Sequence, residues 1–335
     1  MRERVIELVN LKDYIDKGVR DLKEVNLLSF TIIRGIFILR SKIEEHERYA
    51  IEKREFIEEI SKEFKYDLNH IRELINIWIN ALTANGYYIK VCEIEAISRI
   101  IINTNAVFGK IPFEVGLSFD PILNIPFISG SSLKGAFRCA LEELIEREYK
   151  RKFDFIGVMK KLEEIIDKIF GSHKGSSLIG VTDAYPVSLN SNGRLFEPDV
   201  ITPHYSDVET EFDVKPKPIL FLTVAPGVRF RFLIFFNKRI YDQKTGREHI
   251  GRRMGIVRDY ELGSKPVDDV LNYAIHYGDD LGSVLKRGGK ADINIIPWID
   301  RAVLYAFIRG VGAKTSLGYS KFRLILYKSV EGDKI

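Results

Sequence analysis

The sequence predicts an α+β protein in which helices lead into a ferredoxin-like, RRM-like sheet that carries insertions. Three observations predict it. Apolar residues recur at helical spacing through residues 1–85. At Tyr87 the texture turns β-branched and partly alternating. From there the elements follow in the order strand, helix, strands, helix, strand, the split βαβ arrangement. The chain therefore divides into a helical N-terminal extension, 1–86, and a core, 87–335, with a basic insertion around 237–292.

Taken in order, "HERYAIEKREFIEEISKEF" reads as a helix with a solvated, charged outer side. "YDLNHIRELINIWINALTANG" shows the helical period best, with Leu68, Ile71, Ile75, Trp78, Ile79 and Leu82 on one face. Asp67 suits its start and Asn85-Gly86 its stop. "YYIKVCEIEAISRIIINT" reads as a strand, and "FEVGLSFDPILN" as a short extended piece and turn. "SLKGAFRCALEELIEREYKRKF" and "FIGVMKKLEEIIDKIFGS" read as helices. "SLIGVTDAYPVSL" and "PILFLTVAPGVRFRFLIFF" read as strands, the second alternating through Arg229 and Arg231. "IIPWIDRAVLYAFIRGV" reads as a helix that Pro297 can begin, and "KFRLILYK" as a closing strand.

Composition narrows the function. The chain has 335 residues, 45% of them hydrophobic and 29% charged, with a net charge of +4. Such a chain is no polycation, so a nucleic-acid role must rest on local basic patches. Cys92 and Cys139 lack metal-type spacing and read as small core residues. No signal-peptide pattern opens the chain, and the apolar stretch "LLSFTIIRGIFIL" is short and holds Arg34, so an intracellular, cytoplasmic protein is expected. A single glutamine, Gln243, against abundant Ile, Lys and Glu matches thermophilic composition.

Two Gly-rich stretches carry the chemistry. In "IPFISGSSLKGAFR", Gly130 and Gly135 allow a turn and close approach, and Ser131 or Ser132 can cap the helix. The first-turn N–H groups, with Lys134 and Arg138 at i and i+4, suit an anion such as a phosphate backbone. The same residues suit an ordinary capped helix with two solvated cations. In "GVGAKTSLGYSKF", Gly310, Gly312 and Gly318 surround Lys314, Thr315 and Ser316, with Tyr319 after them. That mixture suits RNA backbone contact with base stacking, or a tight helix-to-strand connection. A basic hairpin in the insertion, with Arg252 and Arg253 among its cations, suits a third RNA contact, a solvated loop or a contact with acidic protein surface. Catalytic patterns are thin. His204 lies near Asp199 and Asp207 in sequence, Asp183 suits a turn, and no nucleophile–base pair stands out.

The two Gly-rich stretches, with "DAYP", "DVITPHY" and "PKPILFLTV" between them, resemble the RAMP superfamily of CRISPR-associated proteins over about residues 88–327. Within it they resemble the family of sixth subunits of the type III-B (Cmr) effector. The resemblance implies an RRM-like core that holds guide RNA near its 3′ end, in antiviral defence against invading RNA. It implies neighbours, namely the first Cmr subunit, the repeated backbone subunit and the small helical subunit, and leaves open whether target RNA is touched as well. It implies no cofactor or metal, and cleavage by other subunits. Ser131, Ser132, Lys134, Gly135 and Arg138 match the first family motif. Gly310, Gly312, Lys314, Thr315, Ser316, Gly318 and Tyr319 match the C-terminal loop. One departure is Ser320, where the family often has glycine, so a slightly restricted turn is expected.

The expectation is a non-catalytic RNA-binding subunit. Its rivals are a RAMP-type endoribonuclease that processes guide precursors, with His204 or His46 in acid–base cleavage, and a scaffold whose loops touch only protein.

Overall fold

The computed structural model describes residues 26–44, 46–62, 66–149, 163, 166–167, 169–173, 175–202, 218–237, 260–261 and 295–330. In chain order the elements are α1 (Leu27–Glu44), α2 (His46–Lys62), α3 (Asn69–Ala84), β1 (Tyr87–Ala96), the short α4 (Lys110–Phe113), β2 (Phe119–Asp120), β3 (Ile125–Pro126) and α5 (Gly130–Tyr149). They continue with β4 (Ile179–Val181), β5 (Tyr185–Ser188), β6 (Phe196–Ile201), β7 (Ile219–Val224), β8 (Arg229–Asn237), β9 (Tyr260–Glu261), α6 (Ile295–Arg309), a 3₁₀ turn (Thr315–Leu317) and β10 (Phe322–Val330). The protein is thus a mixture of helix and sheet.

The chain forms two compact units. One comprises 1–68, 103–126 and 192–224; the other comprises 69–102, 127–191 and 225–335. In the first, α1 passes close over α4, so that a Cβ on Gly35 would lie 2.9 Å from Pro112. Phe56 packs between Phe30 and Phe113, and Phe108 stacks on Phe119 at 4.1 Å. The hairpins β2–β3 and β6–β7 belong to this unit.

The second unit is built on an antiparallel sheet of order β4-β8-β1-β10-β9, with β5 also pairing β8. Period-two alternation gives each strand two faces. Phe230 and Phe232 of β8 point to one face, where Phe137 of α5 and Phe307 of α6 meet Phe232. Arg229 and Arg231 point to the other, and the register sets them opposite Glu95 and Glu93. There Arg231 bonds Glu93 at 2.7 Å, and Glu95 is shared by Arg229, at 2.9 Å, and Arg323. α3 packs on β1, β5 and β8 with Ile71, Ile75 and Ile79 buried, the stripe its spacing predicts.

The apolar run 218–236 is not one strand. Pro226-Gly227 breaks it, with Gly227 at φ 86°, and sends β7 and β8 to different sheets in different units. A Pro-Gly pair is a turn signal even inside an alternating run. Among the described residues no helix is long and apolar enough to cross a membrane.

Candidate nucleic-acid interface

The first Gly-rich stretch begins at a sheet edge. Ile128 exchanges two backbone hydrogen bonds with Ala184, of 3.0 and 2.9 Å, which fixes where α5 starts. The helix cap is Ser129, not Ser131 or Ser132: its Oγ accepts the Ser132 N–H at 3.2 Å. Its hydroxyl also lies 3.1 and 2.8 Å from the Ser131 and Ser132 hydroxyls. Three nearby serines hide which one caps. Asp183, read from sequence as a turn residue, takes the Gly130 N–H at 2.7 Å. A carboxylate therefore already sits at the positive end of the α5 dipole. Nothing local in the sequence announces that contact, because the partners are 53 residues apart.

Beyond the cap, Lys134 and Arg138 share a face but differ in their surroundings. Arg138 donates Nε to Glu142 and Nη2 to Asp167, both at 2.9 Å, and Nη1 to the Gly171 carbonyl at 3.2 Å. Glu142 and Asp167 hold its guanidinium charged more firmly than usual. Lys134 Nζ donates to the Ser177 hydroxyl at 2.5 Å, and burial pushes its pKa down. Ser131, Ser132 and Gly135 are exposed. A Cβ on Gly135 would meet nothing within 4 Å.

The second stretch is tied to the segment that follows β1. Ala313 N–H donates to the Ile101 carbonyl at 2.8 Å, Ser320 N–H to the Arg99 carbonyl at 2.9 Å, and Val311 N–H to the Ser320 carbonyl at 2.9 Å. Gly310 (φ 99°) and Gly312 (φ 138°) have no room for a Cβ, which would lie 2.7 Å from Ser320 O and 2.6 Å from Ile101 O respectively. Gly318 (φ 90°) faces open space. Lys314, itself left-handed at φ 57°, precedes the 3₁₀ turn. Ser316 and Leu317 are exposed, and Tyr319 is half-buried with its N–H on the Lys314 carbonyl at 3.3 Å.

Ser320 explains its own departure from glycine. It is left-handed, φ 56°, and fully buried. Its hydroxyl accepts the Ile101 N–H at 3.1 Å and donates to the Ile101 carbonyl at 3.2 Å. Those bonds offset a backbone cost of about 1–2 kcal/mol.

The two stretches meet the main sheet at different levels: Thr182, beside Gly130, donates its N–H to the Leu233 carbonyl midway along β8, whereas the 310–320 loop enters β10 at Phe322, opposite the end of β1 at Ala96. Tyr185 pairs Arg231 and Arg229 pairs Glu95, while Ala96 pairs Phe322. Gly130 abuts the strand end at Val181–Thr182 on one side, and the 310–320 loop leads into β10 on the other. Three strand spacings separate those strands, about 14 Å. Arg252, Arg253 and the rest of the basic hairpin, with His204 and Asp207, lie outside the described residues, as does the side chain of His46. Asp199 lies in β6, where its carboxylate accepts the adjacent Val200 N–H at 2.8 Å.

The comparisons with known proteins bear on this geometry. A family model described as the RAMP superfamily matches residues 93–323. CRISPR system CMR subunit Cmr6 of Saccharolobus solfataricus is 30% identical over 292 residues, covering 86% of this chain and 78% of that protein. A chain in the cryo-EM structure of the type III-B Cmr-beta bound to cognate target RNA aligns over 98% of this chain and 99% of its own. It has a TM-score of 0.64 and 27% identity. The crystal structure of Cmr6 from Pyrococcus furiosus aligns over 73% of this chain and 99% of its own, with a TM-score of 0.36 and 20% identity.

Proposed function

This chain belongs to the RAMP superfamily and, within it, to the Cmr6 family, and on that premise we propose that it is a non-catalytic RNA-holding subunit of a cytoplasmic type III-B Cmr effector. The core reads as ferredoxin-like, RRM-like: β1, α5, β4, β8, α6 and β10 follow the split βαβ order, and the helices extend it at the N-terminus. Guide RNA, near its 3′ end, runs across the sheet from one Gly-rich stretch to the other. The first Cmr subunit, the repeated backbone subunit and the small helical subunit flank it, and target RNA pairs along the guide.

Gly135 carries this reading. A glycine inside a helix costs about 1 kcal/mol relative to alanine, and here no neighbour requires it. It lies exposed beside a half-buried lysine. A backbone that must be approached closely by a phosphate chain accounts for both facts, because guide sequence varies and only backbone and shape can be read. Lys134, Ser131, Lys314, Thr315 and Ser316 supply donors, while Gly310 and Gly312 shape the loop. Arg138 acts at one remove, through the segment it holds.

Gly135→Ala should stabilise the free protein by about 0.5–1 kcal/mol in urea unfolding while weakening RNA binding several-fold. Stabilisation with unchanged binding would remove the site. The broader test is purification through a tag on this chain, followed by ultraviolet crosslinking. Other Cmr subunits should co-purify, with crosslinks to guide RNA in 131–138 and 314–319. Absence of RNA crosslinks there overturns the proposal, as does cleavage of repeat RNA by the purified chain in EDTA.

A further inference from the structure

The turn "GSHKGSS", 171–177, belongs to neither Gly-rich stretch, yet Lys134 and Arg138 of α5 reach it. Arg138 binds the Gly171 carbonyl at its start, and Lys134 binds the Ser177 hydroxyl at its end. Ser177 in turn donates to the Ile179 carbonyl at 2.8 Å. Ser172 and Gly175 exchange two backbone hydrogen bonds of 3.1 and 3.2 Å, which close the turn. Its described residues, 171–173 and 175–177, are thus pinned at both ends against the helix, with His173, Gly175 and Ser176 exposed.

Three observations point to an anion between turn and helix. Among the described residues the Lys134 ammonium has the Ser177 hydroxyl as its bonded partner and no carboxylate within ion-pair reach. Burial already disfavours its charge, and an anion there would offset that cost. Second, Ser131, Lys134, Gly135 and Arg138 fall within about 100° of the helix circumference, so the cation and the bare glycine share one side. Third, Gly175, like Gly135, has open space where a Cβ would stand, and its φ is not left-handed. No backbone need of its own requires a glycine there.

We propose that residues 175–177 form the second wall of a phosphate groove along α5, which seats one phosphodiester of single-stranded RNA between Lys134 and Ser176. Lys134 supplies the charge, Ser176 a hydroxyl donor, and Gly135 and Gly175 the clearance for the sugar-phosphate chain. Arg138 is a positioning residue that holds the turn in place. The inference rests on the RNA-holding reading above and adds to it a wall that lies outside both Gly-rich motifs.

Ser176→Asp, Ser176→Lys and Gly175→Val test it, each at an exposed position. The full chain would be titrated with labelled single-stranded RNA of mixed sequence across a range of salt. Ser176→Asp should weaken binding about tenfold, and Ser176→Lys should tighten it a few-fold. The slope of log affinity against log salt should steepen by about 0.7 for Lys and flatten for Asp. Gly175→Val should weaken binding several-fold with an unchanged urea midpoint. If Gly135→Ala weakens binding but all three turn variants bind as wild type, the groove is overturned and the RNA-holding reading stands. If the wild-type chain binds no such RNA even at low salt, both fall.

Discussion

Replacing Gly130 by alanine is expected to lower the unfolding free energy by about 2–3 kcal/mol. The added Cβ would stand 2.3 Å from the Val181 carbonyl oxygen and 2.9 Å from Thr182, both backbone atoms that cannot swing aside. Relief requires α5 to slide from the strand end, and that motion stretches the Gly130–Asp183 hydrogen bond. Two effects therefore combine: overpacking, and a helix start that loses its carboxylate partner. Urea unfolding reads the loss as a lower midpoint at constant m. Ser131→Ala, at an exposed neighbour, should stay within about 0.5 kcal/mol of wild type. Equal midpoints for Gly130→Ala and Ser131→Ala would show that the helix is not fixed by this contact.

The other large effect is expected at Gly312. Its φ of 138° is unfavourable for any side chain, and a Cβ would lie 2.6 Å from the Ile101 carbonyl and 2.7 Å from the Ser320 hydroxyl. Gly312→Ala should cost about 2–4 kcal/mol. Ser320→Ala keeps the backbone but leaves the buried Ile101 N–H without its acceptor, for about 1–3 kcal/mol. A methyl group added at position 312 would press on the Ser320 hydroxyl itself. The double variant Gly312→Ala/Ser320→Ala should therefore lose less than the sum of the singles. Additive losses would mean that the two positions are not in one hydrogen-bonded knot.

Much of the fold is legible in local pattern. The stripe of α3, the alternation of β8 and the Gly-rich loop before β10 all follow from spacing alone, because each is decided within one turn or one pleat. What is not legible depends on distant partners. Asp183 reads as a turn residue until α5 is set against it. Arg138 reads as a free cation until Asp167 and the Gly171 carbonyl come within reach. Pro226-Gly227 marks a break in the sequence, but the alternation of "RFRFLIFF" after it masks the change of sheet. Ser176 and Ser177 carry no sequence signal at all, since their neighbourhood exists only once α5 and β4 are placed. The helix Asn69–Ala84 lies before the change of texture at Tyr87, yet it is grouped with the sheet on which its apolar stripe packs.

The place of β10 has a consequence for how the protein is made. β1 pairs on one side with β8 and on the other with β10, the latter over eight residue pairs from Ile89 to Ala96. At about 5–20 residues per second, a ribosome needs roughly 10–45 s to travel from Ala96 to Phe322. Throughout that interval one edge of β1 has no strand to bond, and an unpaired edge invites strands from other chains. Lys90, in the middle of β1 and held over the ring of Tyr327, finds its aromatic partner only when β10 arrives. Until that moment its ammonium lacks that ring and keeps a charge on the unpaired strand, which opposes the adhesion of one newly made copy to another.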